Sequence, residues 1–369
     1  MSTGRKSVLV VGGGIAGFSL ALHASKEFDV TVVEAEFQPG YHSSGRSAAV
    51  FHIAFENDIV HRLSLDSESF FLQPPRGFGA IASTLEHMLI AKTPEKSRVD
   101  EFLDTWSQRC PWLRRVSRSE IVDRIPLLTD EYTIGALDVR SLAIDVHTLL
   151  DCYRRNVVES GGKVTTQRRL VALDDSNGQW TASFAQGEPI TADIVVNAAG
   201  AWADEIANLA GVAPIGLVPK RRTGLRVHLD SNIRDWPMCY TASHSLYFKP
   251  EGNALMLSPA DATESPPCDA QPEMYDVAVA LDRLRQCLGV QIDRPSETWA
   301  GLRSFVDDGA PVIGFASDHP GFFWHSAFGG FGVQTSPACG KLGAELLASN
   351  LGSMSANVSA QEIGPERLD

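Results

Sequence analysis

Residues 7–36, SVLVVGGGIAGFSLALHASKEFDVTVVEAE, constrain this chain more than any other stretch. Val8–Val11 is an unbroken apolar run rich in β-branched residues, the pattern of a parallel strand covered on both faces. Gly12, Gly14 and Gly17 follow in G-x-G-x-x-G spacing, helical periodicity runs from Ile15 to about Glu27, and a second strand ends at Glu34. This order starts a doubly wound sheet that binds a dinucleotide. The first glycine permits the tight turn, the second admits a pyrophosphate to the backbone, and the third lets helix and strand pack closely. The helix start at Ile15 and Ala16 offers N–H groups and partial positive charge to phosphate, and Glu34 stands where a carboxylate accepts ribose hydroxyls.

The 369 residues, 44% hydrophobic and 21% charged, are enough for two or three domains or two interleaved ones. A formal charge of −13 argues against binding nucleic acid or anionic lipid. No apolar run has the length of a membrane span, and the start MSTGRKSVLVVGGG breaks at glycines, unlike a signal peptide. A cytoplasmic location is therefore expected. None of the six cysteines forms a C-x-x-C pair or shows zinc spacing, so free thiols and no metal are expected.

Three further segments favour a flavin over a nicotinamide. QPGYHSSGRSAA is a second polar, glycine-containing stretch whose Ser43, Ser44, Arg46, Ser47 and Ala48 can wrap a diphosphate and flavin. IVVNAAGAWADEIANLAG reads as a buried strand ending in small residues, so Ala199 and Gly200, with Trp202 beyond them, join the cofactor set. GFFWHSAFGGFGVQTSPACGKLGAEL reads strand, glycine-rich turn, helix, which adds Gly329, Gly330, Gly332, Gln334 and Thr335. A helix start there would favour negative charge on a reduced ring. The helix 145–159 and the one ending near Leu288 follow from periodicity, 258–273 reads as loop, and the tail after Asn350 as frayed.

Together with TWAGLRSFVDDGAPVIG, these segments resemble the D-amino-acid oxidase, glycine oxidase and sarcosine oxidase family of flavoenzymes, over Val8 to about Leu347. PGYHSSGRSAA, NAAGAWADEIANLAGV, VPKRRTG, DWPM and TWAGLRSFV are most similar to the D-arginine dehydrogenases within it. The resemblance implies an α/β (α+β) fold: a Rossmann-like FAD-binding domain interleaved with a mainly antiparallel β-sheet substrate domain. The cofactor domain would take 1–75, 145–215 and 295–369, and the substrate domain 76–144 and 216–294. It also implies flavin-dependent oxidation of a D-amino acid or related amino or imino acid, giving a keto acid and ammonia, with an electron acceptor not specified by the sequence. Where sarcosine oxidases carry a tethering cysteine, this chain has Leu302, Arg303, Ser304 and Phe305, so FAD is expected to be non-covalent.

The basic run in VPKRRTGLRV belongs to the same picture. Neighbours in a strand point to opposite faces, so Arg221 and Arg222 are not both expected to be buried. The resemblance places Arg222 and Arg303 as carboxylate-binding arginines and Tyr247 beside them; a guanidinium fork suits a carboxylate because it offers two parallel hydrogen bonds. It puts Val50, His52 and Phe55 at pocket positions, with His52 the acid/base candidate and a packing histidine as the alternative. It places His87, or Glu86 after a shift of register, where D-arginine dehydrogenases bind the substrate cation. Phe328 and Tyr240 replace a glutamine and a valine, while Met238 and Gln334 are retained. A buried cation needs a paired charge, so these departures favour neutral or aromatic substrates. A flavin 2-hydroxy-acid dehydrogenase and a non-catalytic dinucleotide-binding regulator are the alternatives.

Overall fold

A computed structural model describes residues 4–54, 57–348 and 357–368. The strand Ser7–Val11 lies in the middle of a six-stranded sheet, parallel to Asp29–Val33 on one side and Ile194–Asn197 on the other. Lys163–Thr165 extends it beyond Asp29–Val33, Phe322–Ser326 extends it beyond Ile194–Asn197, and Val312–Phe315 closes that edge antiparallel. Leu9 and Val10 are both 0% exposed although they point to opposite faces, because the sheet is covered on both sides. Burying a side chain of that size contributes about 1.5–3 kcal/mol. The helix Ile15–Ala24 is shorter than its periodicity suggests and packs on the helix Gly332–Leu347.

The second large element is a nine-stranded, mainly antiparallel sheet with one parallel pair, His87–Lys92 beside Met238–Thr241. Its longest pairing joins Val218–Val227 to Glu297–Phe305 over nine residue pairs. The expected boundary near 295 is therefore displaced: Glu297–Phe305 is part of the large sheet and leads into the cofactor sheet only afterwards. A three-stranded meander, Leu170–Ser176, Gln179–Phe184 and Ile190–Ala192, and a small sheet of Val50–Phe51, Leu142–Ile144 and Ala82–Thr84 complete the set. Residues 258–273 are loop apart from the short strand Thr263–Glu264.

Two expectations need correction. The described tail, 357–368, is anchored: Val358 and Ile363 are buried, and Ser359 caps the short helix Ala360–Ile363. Arg221 and Arg222 do point to opposite faces, yet both are largely buried, with side chains 11% and 18% exposed. The helix Met274–Leu288 covers the far face of the strand, and Arg221 binds Glu273 at its start and Asp276 at 3.1 Å. Those acidic residues also suit the positive end of that helix. Among the described residues no helix is long and apolar enough to cross a membrane.

Arg221 is thus a stability residue. Arg221→Met leaves Asp276 without its buried partner, and urea unfolding is expected to show a loss of about 2–3 kcal/mol, below the full value for a buried pair because Glu273 remains solvated. The FAD content of the purified protein should not change. Lost FAD or lost substrate affinity at wild-type stability would contradict this assignment.

Candidate functional site

The two sheets meet around two adjoining cavities. The larger has a volume of about 850 Å³ and the smaller about 140 Å³. Ser47, Ala48, Arg222, Tyr247, Arg303, Gly330 and Val333 line both, so they form one continuous site.

The smaller recess sits at the glycine turn. Gly14, Ile15 and Ala16 line one side, Ser43, Ser44 and Arg46 another, and Gly329 and Gly332 a third. Gly12 and Gly17 do not reach the recess; their effect is geometric. Gly12 has φ +113°, and a Cβ there would stand 2.3 Å from the carbonyl oxygen of Ala198. A Cβ on Gly17 would stand 2.0 Å from the Gly12 oxygen, so the helix could not close on its strand. The Ser44 hydroxyl accepts from Ile15 N–H at 3.0 Å, which marks the helix start as a place for an oxygen acceptor. Glu34, outside both cavities, accepts from the N–H groups of Gly13 at 2.8 Å and Glu36 at 2.9 Å, and each oxygen keeps a second lone pair for a hydroxyl. Donor groups, a carboxylate and missing side chains fit a dinucleotide such as FAD.

Several expected cofactor residues also bond within the protein. The Arg46 guanidinium donates to the carbonyls of Tyr41, Ala270 and Ala300 and pairs with Asp269 at 2.5 Å. With Ser43 Oγ donating to Leu302 O, it laces the loop after Glu34 to the strand that carries Arg303. Gln334 faces the larger cavity, but its amide is taken by the backbone of His52 and by Ser64. Thr335 bonds back to Phe331 O inside its helix, and Ala199 and Trp202 line neither cavity; the Trp202 ring packs on His42 at 4.6 Å.

The seam between the sheets carries the charge. Across the ladder Arg222 faces Gly301 and Lys220 faces Arg303, so Arg222 and Arg303 lie on one face of the sheet in diagonal positions. Lys220 lies over the Phe305 ring at 5.8 Å and lines neither cavity. The Arg303 guanidinium packs on Gly330, where a Cβ would be 2.9 Å from Cζ. Among the described residues Arg303 has no carboxylate within ion-pair distance. Burial, with Arg222 close by, depresses its pKa to about 10. Burial alone would raise the Tyr247 phenol, but Arg303 and Arg222, with hydrogen bonds to Ser258 and Arg222, outweigh it and bring it below its ordinary value. Two guanidinium groups and a phenol thus converge, and among the described residues the one carboxylate lining the cavity, Glu101, is exposed.

The remaining wall is largely aromatic and apolar, with Arg98 and the exposed Glu101 also lining it. His52 stacks on His87 at 4.3 Å, His87 on Tyr240 at 4.9 Å, and Tyr240 meets His244 at 5.7 Å. Burial takes His87 down to about 3, and burial with the neighbouring His87 takes His52 well below its ordinary value. Burial thus favours the neutral form of both rings. Val50 and Met238 line the same cavity. Glu86 does not: it is turned to Arg124 at 2.7 Å, and His87 takes the inward position. Phe328 lies in the smaller recess against His325 rather than in the larger cavity. Phe55 lies outside the described residues.

Sequence reasoning missed Phe102 and Trp106, which line the cavity from the helix Lys96–Trp106, and Asp261, which holds Arg222 from behind. Helical spacing in VDEFLDTW marks an apolar face but not what it covers.

A profile of the family described as FAD dependent oxidoreductase matches residues 7–346. Glycine oxidase of Pseudomonas putida is 24% identical over 93% of this chain and 94% of its own. The structure of L-proline dehydrogenase from P. horikoshii superposes with a TM-score of 0.86 at 20% identity, covering 98% of this chain and 97% of that one. Glycine oxidase from Geobacillus kaustophilus gives 0.85 at 18%, covering 98% and 99%.

The glycine turn and Glu34 make separate demands on FAD binding. Titrating apoprotein with FAD by fluorescence should show no saturable binding for Gly17→Val. For Glu34→Ala it should show a Kd raised roughly ten- to hundredfold, the scale of a charged hydrogen bond of about 1.5–3 kcal/mol. An unchanged Kd for Glu34→Ala would remove that residue from the cofactor site.

Proposed function

The chain belongs to the FAD dependent oxidoreductase family, and we propose that it oxidises a D-amino acid, or a related amino or imino acid, with a neutral or aromatic side chain. The observation that carries this reading is Arg303, a buried guanidinium facing the cavity with no protein carboxylate, beside Arg222 and Tyr247. A buried cation without a partner is costly, and a substrate carboxylate supplies the missing charge. The D configuration rests on the resemblance of the sequence motifs to D-arginine dehydrogenases.

Bound FAD supplies the hydride acceptor. The protein's task is to hold one end of the substrate so that its α-hydrogen is presented within about 3–3.5 Å of that acceptor. Arg222 and Arg303 provide the fork geometry for the carboxylate, and the Tyr247 hydroxyl adds a third polar contact. The side chain then extends along His52, His87 and Tyr240, past Phe102 and Trp106. Glu101 is the one carboxylate among the described lining residues, and it is exposed. A lysine- or arginine-like cation therefore finds no buried partner. Burial disfavours protonation of both His52 and His87, so in this reading the substrate enters as the neutral amine or releases its proton to water.

Anaerobic bleaching of the flavin absorbance tests this reading. D-Phenylalanine, D-methionine or D-proline should reduce the flavin at least tenfold faster than D-arginine or D-lysine, with release of ammonia. Reduction by 2-hydroxy acids instead would replace the amine reading. Arg222→Met and Arg303→Met should each lower kcat/KM by about a hundredfold or more, the scale of a lost buried charge contact of 2–5 kcal/mol.

The pH profile follows from the shifted groups. Since burial holds His52 and His87 well below the ordinary histidine value, neither ring should put a break in kcat/KM near pH 6.5, and kcat/KM should rise with deprotonation of the substrate amine. Arg303 binds carboxylate only while protonated, so kcat/KM should fall as pH passes about 10. A histidine-like limb near pH 6.5 that disappears in His52→Phe would restore His52 as the base.

A further inference from the structure

Arg222 and Arg221 are adjacent in sequence and on opposite faces of their strand, yet one carboxylate stands near both. Asp261 lies 3.9 Å from Arg222 Nε and 4.0 Å from Arg221 Nε, with its own side chain only 6% exposed. Its carboxylate accepts from Thr223 N at 2.7 Å and from Thr223 Oγ1 at 3.0 Å, so it is bolted to the strand between the two arginines. Its backbone carbonyl accepts from Arg222 Nε at 2.5 Å. Arg222 also hydrogen-bonds the Tyr247 hydroxyl, and its side chain lines the cavity.

The segment holding Asp261 is itself fixed. Ala260 lines the cavity at φ +57°, a left-handed conformation that persists only when its surroundings impose it. Arg283 supports the segment from the covering helix, donating to Pro259 O at 2.7 Å and Ser245 O at 2.6 Å. Arg221, on the far face, is matched by Glu273 and Asp276. Asp261 is thus the acidic group left to balance the pair facing the cavity, and its charge reaches Arg303 as well.

We propose that Asp261 is a positioning residue: through its anchor on Thr223 it aims Arg222 at the cavity, and its charge leaves the clamp one net positive charge, matched to a substrate with one carboxylate rather than two. This rests on the carboxylate-binding reading given above. The two parts separate by substitution. Alanine removes the anchor and the charge together. Asparagine is nearly isosteric and can keep both bonds to Thr223, since the threonine hydroxyl can accept as well as donate, but it removes the charge.

The test uses FAD-loaded wild type, Asp261→Ala, Asp261→Asn and Thr223→Val, each titrated with benzoate and with malonate while the visible flavin spectrum is followed. Wild type should bind benzoate more tightly than malonate. Asp261→Ala should weaken benzoate at least tenfold and raise KM for the oxidised amino acid similarly, with kcat within threefold. Asp261→Asn should keep benzoate within threefold of wild type and tighten malonate at least fivefold. Thr223→Val, which keeps the carboxylate but loses one anchor bond, should weaken benzoate about threefold even if the alanine variant does not fold.

Wild-type benzoate affinity in Asp261→Ala, or in Thr223→Val where the alanine variant does not fold, would overturn the positioning role. An unchanged benzoate-to-malonate ratio in Asp261→Asn would overturn the charge matching. A wild type whose spectrum responds to neither probe would overturn the carboxylate reading beneath both.

Discussion

Two arginines share one face of an antiparallel ladder, and the rest of the site is arranged around their repulsion. Arg222 and Arg303 sit in diagonal positions of the pairing between Val218–Val227 and Glu297–Phe305, enclosed on the protein side and open only to the cavity. Gly301 lies opposite Arg222, where a Cβ would crowd Arg46, and Gly330 lies under Arg303, where a Cβ would crowd its guanidinium. Asp261 offsets part of the charge from behind, and among the described residues no buried carboxylate lining the cavity offsets the remainder. A site built this way is strained toward binding an anion, because charge removed from water requires an opposite charge to compensate it.

That demand explains how the two sheets are joined. Gly329 N–H donates to Ser304 O at 2.8 Å, tying the turn that follows Phe322–Ser326 to the strand that carries Arg303. Ser43 and Arg46 tie the loop after Glu34 to the same strand through Leu302 and Ala300. The cofactor segments and the carboxylate clamp are therefore parts of one hydrogen-bonded frame, and a displacement of either would move the other. Precision of this kind is what hydride transfer asks of a protein, since a misplacement of about 1 Å can cost a hundredfold in rate.

How much of this was legible in the sequence depended on the range of the interactions. The glycine turn and its strands are local, so Gly12, Gly14, Gly17 and Glu34 stood out from spacing alone. The placement of Arg222 and Arg303 came from motif resemblance, and so did the FAD assignment. Choices of face depended on register, which sequence does not show: Glu86 and His87 are neighbours, and only the pairing of His87 with Met238 and Asp138 turns the histidine inward. Arg221 looked exposed because the helix that buries it begins more than fifty residues later. The polarity of Arg46 and Gln334 was visible in the sequence, while the protein partners each also holds were not. Asp261 gave no signal, being one of several acids in a polar loop.

The most direct test of the central claim is a crystal structure of the FAD-loaded protein with benzoate bound. The account predicts the benzoate carboxylate within hydrogen-bond distance of both Arg222 and Arg303, with the aromatic ring against His52, His87 or Tyr240. A carboxylate bound elsewhere, or an Arg303 that pairs with a protein acid while the ligand lies apart from it, would contradict it.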